Sequence, residues 1–293
     1  MIDPQLRARL EKHIRDLPVL PQAVVKLMAL DPDQDDFFDR LLDVIQPEPN
    51  YSARVLAMAN SAASGSQVAI TTLKAALSRI GSRGARNLIL ALAVTRVFVP
   101  RDDWEKSLWR HALHVAIAAR EFARTEGDSE FSPEEAYACG LLHDIGRFVL
   151  FQEGPQVLRR IDEGEWDTPE GLLAMEKSIC GLAHTDLGAL ACEHWKLPEL
   201  ICELVRNHHA PPAPAPQGKL GRLTAVVRAA DLAMFPTAMP GTAGLEVADD
   251  ATLRDAVQKQ LPPFVKLSIP QLRTLLCGAT EEASRAIQML GLA

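Results

Sequence analysis

Seven residues stand where the surrounding sequence otherwise supplies apolar side chains: His111, His143, Asp144, His184, His208, His209 and Asp231. The chain has eight histidines, so only His13, His114 and His194 fall outside this set. Asp231 lies between alanine and leucine in "VVRAADLAMF". A carboxylate buried there without a cation or several donors would be costly. Imidazole and carboxylate together are ligands that suit iron, manganese or zinc. A workable allocation gives one ion His111, His143, Asp144 and Asp231, while Asp144 bridges to a second ion held by His184, His208 and His209. Two transition-metal ions about 3.5 to 4 Å apart would deprotonate a shared water and polarise a phosphoryl group, the chemistry of a phosphohydrolase. The same residues also fit a hydrogen-bonded polar network without metal, and His111 alone reads as a core histidine. Residue type and spacing leave both open.

Separate helices must deliver these groups. "SLWRHALHVAIAAREFARTEG" has Leu108, His111, Val115, Ala118 and Phe122 on one face, an amphipathic spacing. "SPEE" opens the next helix: Ser132 caps, Pro133 suits the first position and Glu135 completes a capping box. His143-Asp144 then falls at that helix's C-terminal end. His184 is followed by Leu187, Ala191 and Trp195 at helical spacing, and His208-His209 closes a helix with Ile201, Leu204 and Val205. A helix begins near Pro169, and the proline-packed "APPAPAPQGKL" excludes helix.

Before residue 100 the chain also reads as helices. "LPVLP" interrupts them, with Pro18 and Pro21 as turn formers and Leu17 and Leu20 as core anchors. Asn60 and Ser61 are expected to cap a helix end through backbone hydrogen bonds. "ITTLKAALSRIGSRGARNLILALAV" predicts two helices broken at Gly81, with Ser82 capping the second. The polar "PRDDWEK" marks a boundary, giving an N-terminal helical lobe over 1–100 and a histidine/aspartate domain over 101–293. No long alternating run appears, so the fold class is all-α.

At 293 residues, 47% apolar and 24% charged, the composition is ordinary for a globular protein. The longest apolar run carries Arg96 and is shorter than the roughly 20 residues a membrane-spanning helix needs. The charged N-terminal segment lacks a signal-peptide pattern, so a cytoplasmic location is expected. Thirty-eight acidic against 31 basic residues, with no basic block, argue against a nucleic-acid surface, and no membrane partner is expected. Five cysteines without a CxxC pair read as reduced thiols. Trp104 and Trp109 read as packing residues with nothing basic around them.

The order His111, His143-Asp144, His184, His208-His209, Asp231 resembles the HD superfamily of metal-dependent phosphohydrolases, especially the HD-GYP cyclic-di-GMP phosphodiesterases. "LPVLP", "ANSAA", "ITTLKAALSRIG" and "GLLHDIGRFVLF", in that order, resemble more narrowly the HDOD domain, the HD-related output domain of bacterial signalling proteins, over about residues 10–285. The resemblance implies an HD-type helical bundle with an N-terminal helical lobe, acting as a regulatory module on signalling protein partners. It keeps all seven metal-ligand positions and implies a dinuclear site for iron, manganese or zinc. The alternative is a phosphohydrolase acting on a nucleotide or cyclic dinucleotide, with Asp144 and Arg147 as its catalytic residues. Two features depart from HD-GYP enzymes: "APPAPAPQGKL" replaces the glycine-tyrosine-proline motif, and Arg147 stands where they have lysine. Arginine can clamp phosphate but stays protonated, so it is no ready acid.

Overall fold

Polar residues ahead of periodic apolar ones cap several of the helix starts in the computed structural model. Asp102 accepts from the Glu105 amide at 2.8 Å, and Thr168 from the Gly171 amide at 3.1 Å. Ser132 and Glu135 form the reciprocal capping box expected from "SPEE", at 3.2 and 2.9 Å. Gly81 behaves differently from the expectation for its neighbour. With φ of +79° it ends one helix and stands at the N-cap of the next, so Ser82 is the first helical residue and not the cap.

The structure describes residues 4–17, 22–28, 30, 34–47, 49–61, 70–125, 130–153, 155–164, 166, 168–211, 216–238 and 244–293. Among them there is no strand, and the fold is all-α. The chain forms two compact units. One comprises Leu20–Val99 and Arg285–Ala293, the other Met1–Val19 and Pro100–Ser284.

In chain order, α1 spans Pro4–Asp16, α2 Gln22–Met28, α3 Phe37–Ile45, α4 Pro49–Ser61, α5 Leu73–Ile80 and α6 Ser82–Thr95. The long α7 runs Asp103–Arg124, followed by α8 (Pro133–Leu142), α9 (Ile145–Glu153), α10 (Pro155–Asp162), α11 (Pro169–Cys180), α12 (His184–His194) and α13 (Glu199–Asn207). The chain closes with α14 (Gly218–Ala238), α15 (Asp250–Ala256) and α16 (Ile269–Leu290). One division between the units follows Val99. Helix α1, however, packs on α9 and α12, burying Leu10 and Ile14, and so lies with the later residues.

In the smaller unit, α2 to α6 enclose Leu27, Leu41, Ile45, Val55, Leu77 and Ile89. Asn60 does bond backbone, donating to the Leu56 and Ile70 carbonyls at 2.8 and 2.9 Å and accepting from the Ile70 amide at 2.9 Å. Of "LPVLP" only Leu17 is described, and it is buried. Pro18, Leu20 and Pro21, residues 62 and 63 of "ANSAA", and 212–215 of the proline-rich stretch lie outside the described residues.

The larger unit is built around α7. Its expected single apolar face is instead burial on nearly every side, because α8 and α14 both pack along it. Two glycines set how closely the helices carrying the histidines approach. A Cβ on Gly140 would lie 2.8 Å from Ala116 Cα, so α8 can lie this close to α7 only with glycine there. A Cβ on Gly146 would fall inside the van der Waals sphere of the His184 carbonyl oxygen and 2.6 Å from the Gly188 amide nitrogen, where α9 meets α12. The cysteines Cys139, Cys180 and Cys192 are buried, and burial pushes their thiols up, as core thiols.

Gly146→Ala should therefore force α9 and α12 apart and cost about 2 kcal/mol or more, on the scale of overpacked cores. Denaturant unfolding checks this: a midpoint unchanged from wild type would mean the helices approach less closely than described.

Candidate metal centre

The seven singled-out residues come together. His111 lies in the middle of α7 and Asp231 in the middle of α14, while His184 is the first residue of α12. The other four sit in two adjacent pairs, each just past a helix end: His143-Asp144 after α8 and His208-His209 after α13. All are buried, and His143, His184 and His208 completely so. His13, His114 and His194 stay outside the cluster. His13 pairs with Gln152 at 2.7 Å, and His114 Nδ1 lies 2.7 Å from the Arg110 carbonyl.

Helix ends leave carbonyls without intrahelical donors, and both pairs exploit this. His143 Nδ1 donates to the Gly140 carbonyl at 2.7 Å, and His208 Nδ1 to the Val205 carbonyl at 2.8 Å, each three residues back. His184 is oriented differently: its Nδ1 bonds Glu176 Oε2 at 2.7 Å, and its backbone amide bonds the same oxygen at 2.8 Å. With Nδ1 donating, each neutral ring presents an Nε2 lone pair. Those lone pairs point into one small space. His184 Nε2 and His208 Nε2 lie 3.2 and 3.5 Å from Asp144 Oδ1 and 3.3 Å from each other. His143 Nε2 is 3.7 Å from both Asp144 Oδ2 and Asp231 Oδ1.

Acceptors facing acceptors at this range need a cation among them. Ligand atoms about 2.1 Å from a shared metal ion stand roughly 3 to 3.5 Å apart, close to the separations around Asp144 Oδ1. His143 Nε2 and Asp144 Oδ1 are buried with no hydrogen-bond partner, the condition a metal ion would relieve. Asp144, His184, His208 and His209 offer atoms within 4.8 Å of one another, as do His111, His143 and Asp144, so Asp144 is common to both groups. Asp231 joins through His111 Nε2 at 3.1 Å and His209 Nδ1 at 3.8 Å. The buried cluster is thus suited to hold metal.

Electrostatics of the cluster agree with its crowding. Burial would raise both aspartates, but the imidazoles prevail: His143 and His184 hold Asp144 well below the usual carboxylate range, and His111 and His143 do the same for Asp231. Burial opposes charge on His184, yet Glu176 and Asp144 push it up to about 10, and His143 is raised by Asp144 and Asp231. Burial, with His208 beside it, drives His209 down to about 2. A metal ion bound there would compete with protons for these nitrogens.

Three features were not evident from the sequence. Glu176, 0% exposed, fixes the His184 ring, although the signal was there: it interrupts the apolar positions Leu172 and Cys180 of α11 just as Asp231 interrupts α14. Arg147 is buried and paired with Asp162 on α10, while its Nε has no hydrogen-bond partner. Trp109 is a packing residue, with its ring 4.2 Å from Phe148. Trp104 is not simply one: it lines a cleft, with the Arg159 guanidinium 5.5 Å over its ring. A cationic neighbour distant in sequence could not be read from the local residues. The cleft measures about 630 Å³, and His111, Asp144, Arg147, His209 and Asp231 line it. One side of the cluster is thus open to a small molecule.

A helical unit holding histidines and aspartates in this order is an HD-type protein. Within that class the chain belongs to the HDOD domain family, whose profile matches residues 17–211. An uncharacterised protein of Treponema pallidum is 29% identical over 207 residues, which span 70% of this chain but only 40% of that protein. Among solved structures, an HDOD domain protein of unknown function from Geobacter sulfurreducens has a TM-score of 0.70 at 22% identity, over 98% of this chain and 99% of that one. A Shewanella amazonensis protein provisionally named a phosphohydrolase has a TM-score of 0.61 at 24% identity, over 98% and 96%. At these identities the likeness concerns fold. No helix among the described residues is long and apolar enough to cross a membrane.

Glu176→Gln keeps the volume but removes the charge that orients His184. Metal affinity should fall about 10- to 100-fold, as when other outer carboxylates of metal-bound histidines are removed. Competition with a chromogenic zinc chelator measures it, and unchanged affinity would show that Glu176 does not support a ligand. His114 supplies a pH test outside the cluster. Burial lowers its pKa below the ordinary 6.5, so its stabilising contribution is full above pH 6.5 and is lost as pH falls through the folded value. His114→Gln should lose less stability between pH 7 and pH 5 than wild type, read from denaturant midpoints.

Proposed function

We propose that this chain is a bacterial signalling module of the HDOD type that acts through protein partners and carries two transition-metal ions, iron, manganese or zinc, at its histidine/aspartate cluster. The observation that carries the metal assignment is the ring of imidazole and carboxylate acceptors around Asp144, spaced for metal ligands and short of hydrogen-bond donors. In this reading His111, His143 and Asp231 serve one ion, His184, His208 and His209 the other, and Asp144 bridges. The signalling assignment rests on membership of the family. Occupancy of the cluster would alter the packing of α8, α12, α13 and α14, which gives a partner surface on these helices something to sense.

A second reading, a metal-dependent phosphohydrolase or phosphodiesterase on a nucleotide or cyclic dinucleotide, is favoured by one specific observation: ligand positions and Arg147 line the same cleft. A metal bound there would supply Lewis acidity toward a phosphoryl oxygen or water. Arg147 would orient a phosphate through its guanidinium and, remaining charged, would not act as the acid. Asp144 would hold its place between the imidazoles as a carboxylate.

Metal content and turnover in one set of variants test both readings. Protein purified after growth with iron and manganese should contain two equivalents by elemental analysis. Asp144→Ala should lose both, whereas His111→Ala and His184→Ala should each lose one. Wild type without metal would overturn the first reading. Hydrolysis of bis(p-nitrophenyl) phosphate that survives Asp144→Ala would overturn the second.

A further inference from the structure

At the mouth of the cleft the chemistry differs from that of its floor. His111, Asp144, Arg147, His209 and Asp231 form the floor, each no more than 8% exposed, whereas Glu163 is exposed and Phe235 is 38% exposed. Aromatic residues are only 5% of the chain, yet Trp104, Trp166 and Phe235 all line this one cavity. Trp166 and Phe235 meet edge to face with centroids 6.1 Å apart, and the Trp166 ring is fixed by its Nε1 donating to the Ile161 carbonyl at 2.7 Å. A part-exposed aromatic ring gains little from water, but its electron-rich face attracts a cation. Trp104 already shows this attraction, with the Arg159 guanidinium 5.5 Å over its ring.

Charge separates the candidate occupants. The lining carries four carboxylates, Asp144, Asp162, Glu163 and Asp231, against two guanidiniums, Arg147 and Arg159. Both guanidiniums are already paired, Arg147 with Asp162 and Arg159 with Asp102, so neither is left to draw an anion to the mouth. Asp144 and Asp231 lie among the imidazoles of the cluster. Glu163 alone has no cationic partner among the described residues. The mouth thus offers aromatic faces and one unmatched negative charge, in a cavity of about 630 Å³, room for a single small molecule. An anion there would meet Asp162 and Glu163, and a neutral apolar molecule would leave Glu163 unused. We propose that the mouth of the cleft binds a small organic cation of the alkylammonium class, with its charged head against Trp166, Phe235 and Glu163. No residue of the histidine/aspartate cluster takes part, so the inference stands apart from the metal assignment.

Three probes of nearly one shape and different charge test it. They are choline, its uncharged carbon analogue with tert-butyl in place of trimethylammonium, and the anion of tert-butylacetic acid, each titrated into the full chain by calorimetry. Choline should bind about fivefold or more tightly than the neutral alcohol, within the range for a cation over aromatic rings, and the carboxylate should bind most weakly. Glu163→Gln and Trp166→Leu should each bring the ratio of choline to alcohol toward one. Glu163 is exposed, so Glu163→Gln should leave the denaturant midpoint unchanged, which separates lost binding from lost folding. In the unsubstituted protein, choline should change tryptophan fluorescence where an equal concentration of sodium chloride does not. Equal affinity for choline and the alcohol, tighter binding of the carboxylate, or a choline preference untouched by both substitutions would overturn the proposal. So would the absence of binding by all three probes, or a fluorescence response to choline no larger than that to salt.

Discussion

Asp144 is a buried carboxylate surrounded by the lone-pair atoms of buried imidazoles, and much of the larger unit is arranged to keep it so. In water such a set would separate. Here the rings cannot turn away, because the second nitrogen of His143, His184 and His208 is already committed to a carbonyl or to Glu176. The opposite charges are matched within the cluster: Glu176 and Asp144 push His184 up to about 10, while the imidazoles hold Asp144 and Asp231 well below the usual carboxylate range.

The helices supply this arrangement by simple means. Placing a histidine just past a helix C-terminus lets it donate to a carbonyl that the helix leaves open, and the chain does this twice, at His143 and His208. Gly140 and Gly146, three and two residues from the members of the first pair, remove the Cβ atoms that would keep α8 from α7 and α9 from α12. The geometry of the histidine/aspartate cluster and the close packing thus share residues.

The open side of the cluster matters for function in a different way. His143, His184 and His208 are sealed, whereas His111, Asp144, His209 and Asp231 border the cleft. A centre built only to brace the fold could be closed on every side. The opening, with Arg147, Trp104 and Trp166 along it, leaves these four residues accessible from the cleft.

Much of this was already present in the residue order. The capping box at Ser132, the all-helical pattern and the seven histidine and aspartate positions all follow from local chemistry, because capping and helical periodicity act within a few residues. Glu176 was legible by the same rule as Asp231, a carboxylate on an apolar stripe. What the residue order could not decide was whether the seven groups meet with acceptors facing one another, or that Arg159 lies over Trp104. It also could not tell that α7 is buried on nearly all sides or that α1 packs with the later unit. Each of these depends on distances between residues far apart along the chain, and only the packing of helices on one another sets those distances.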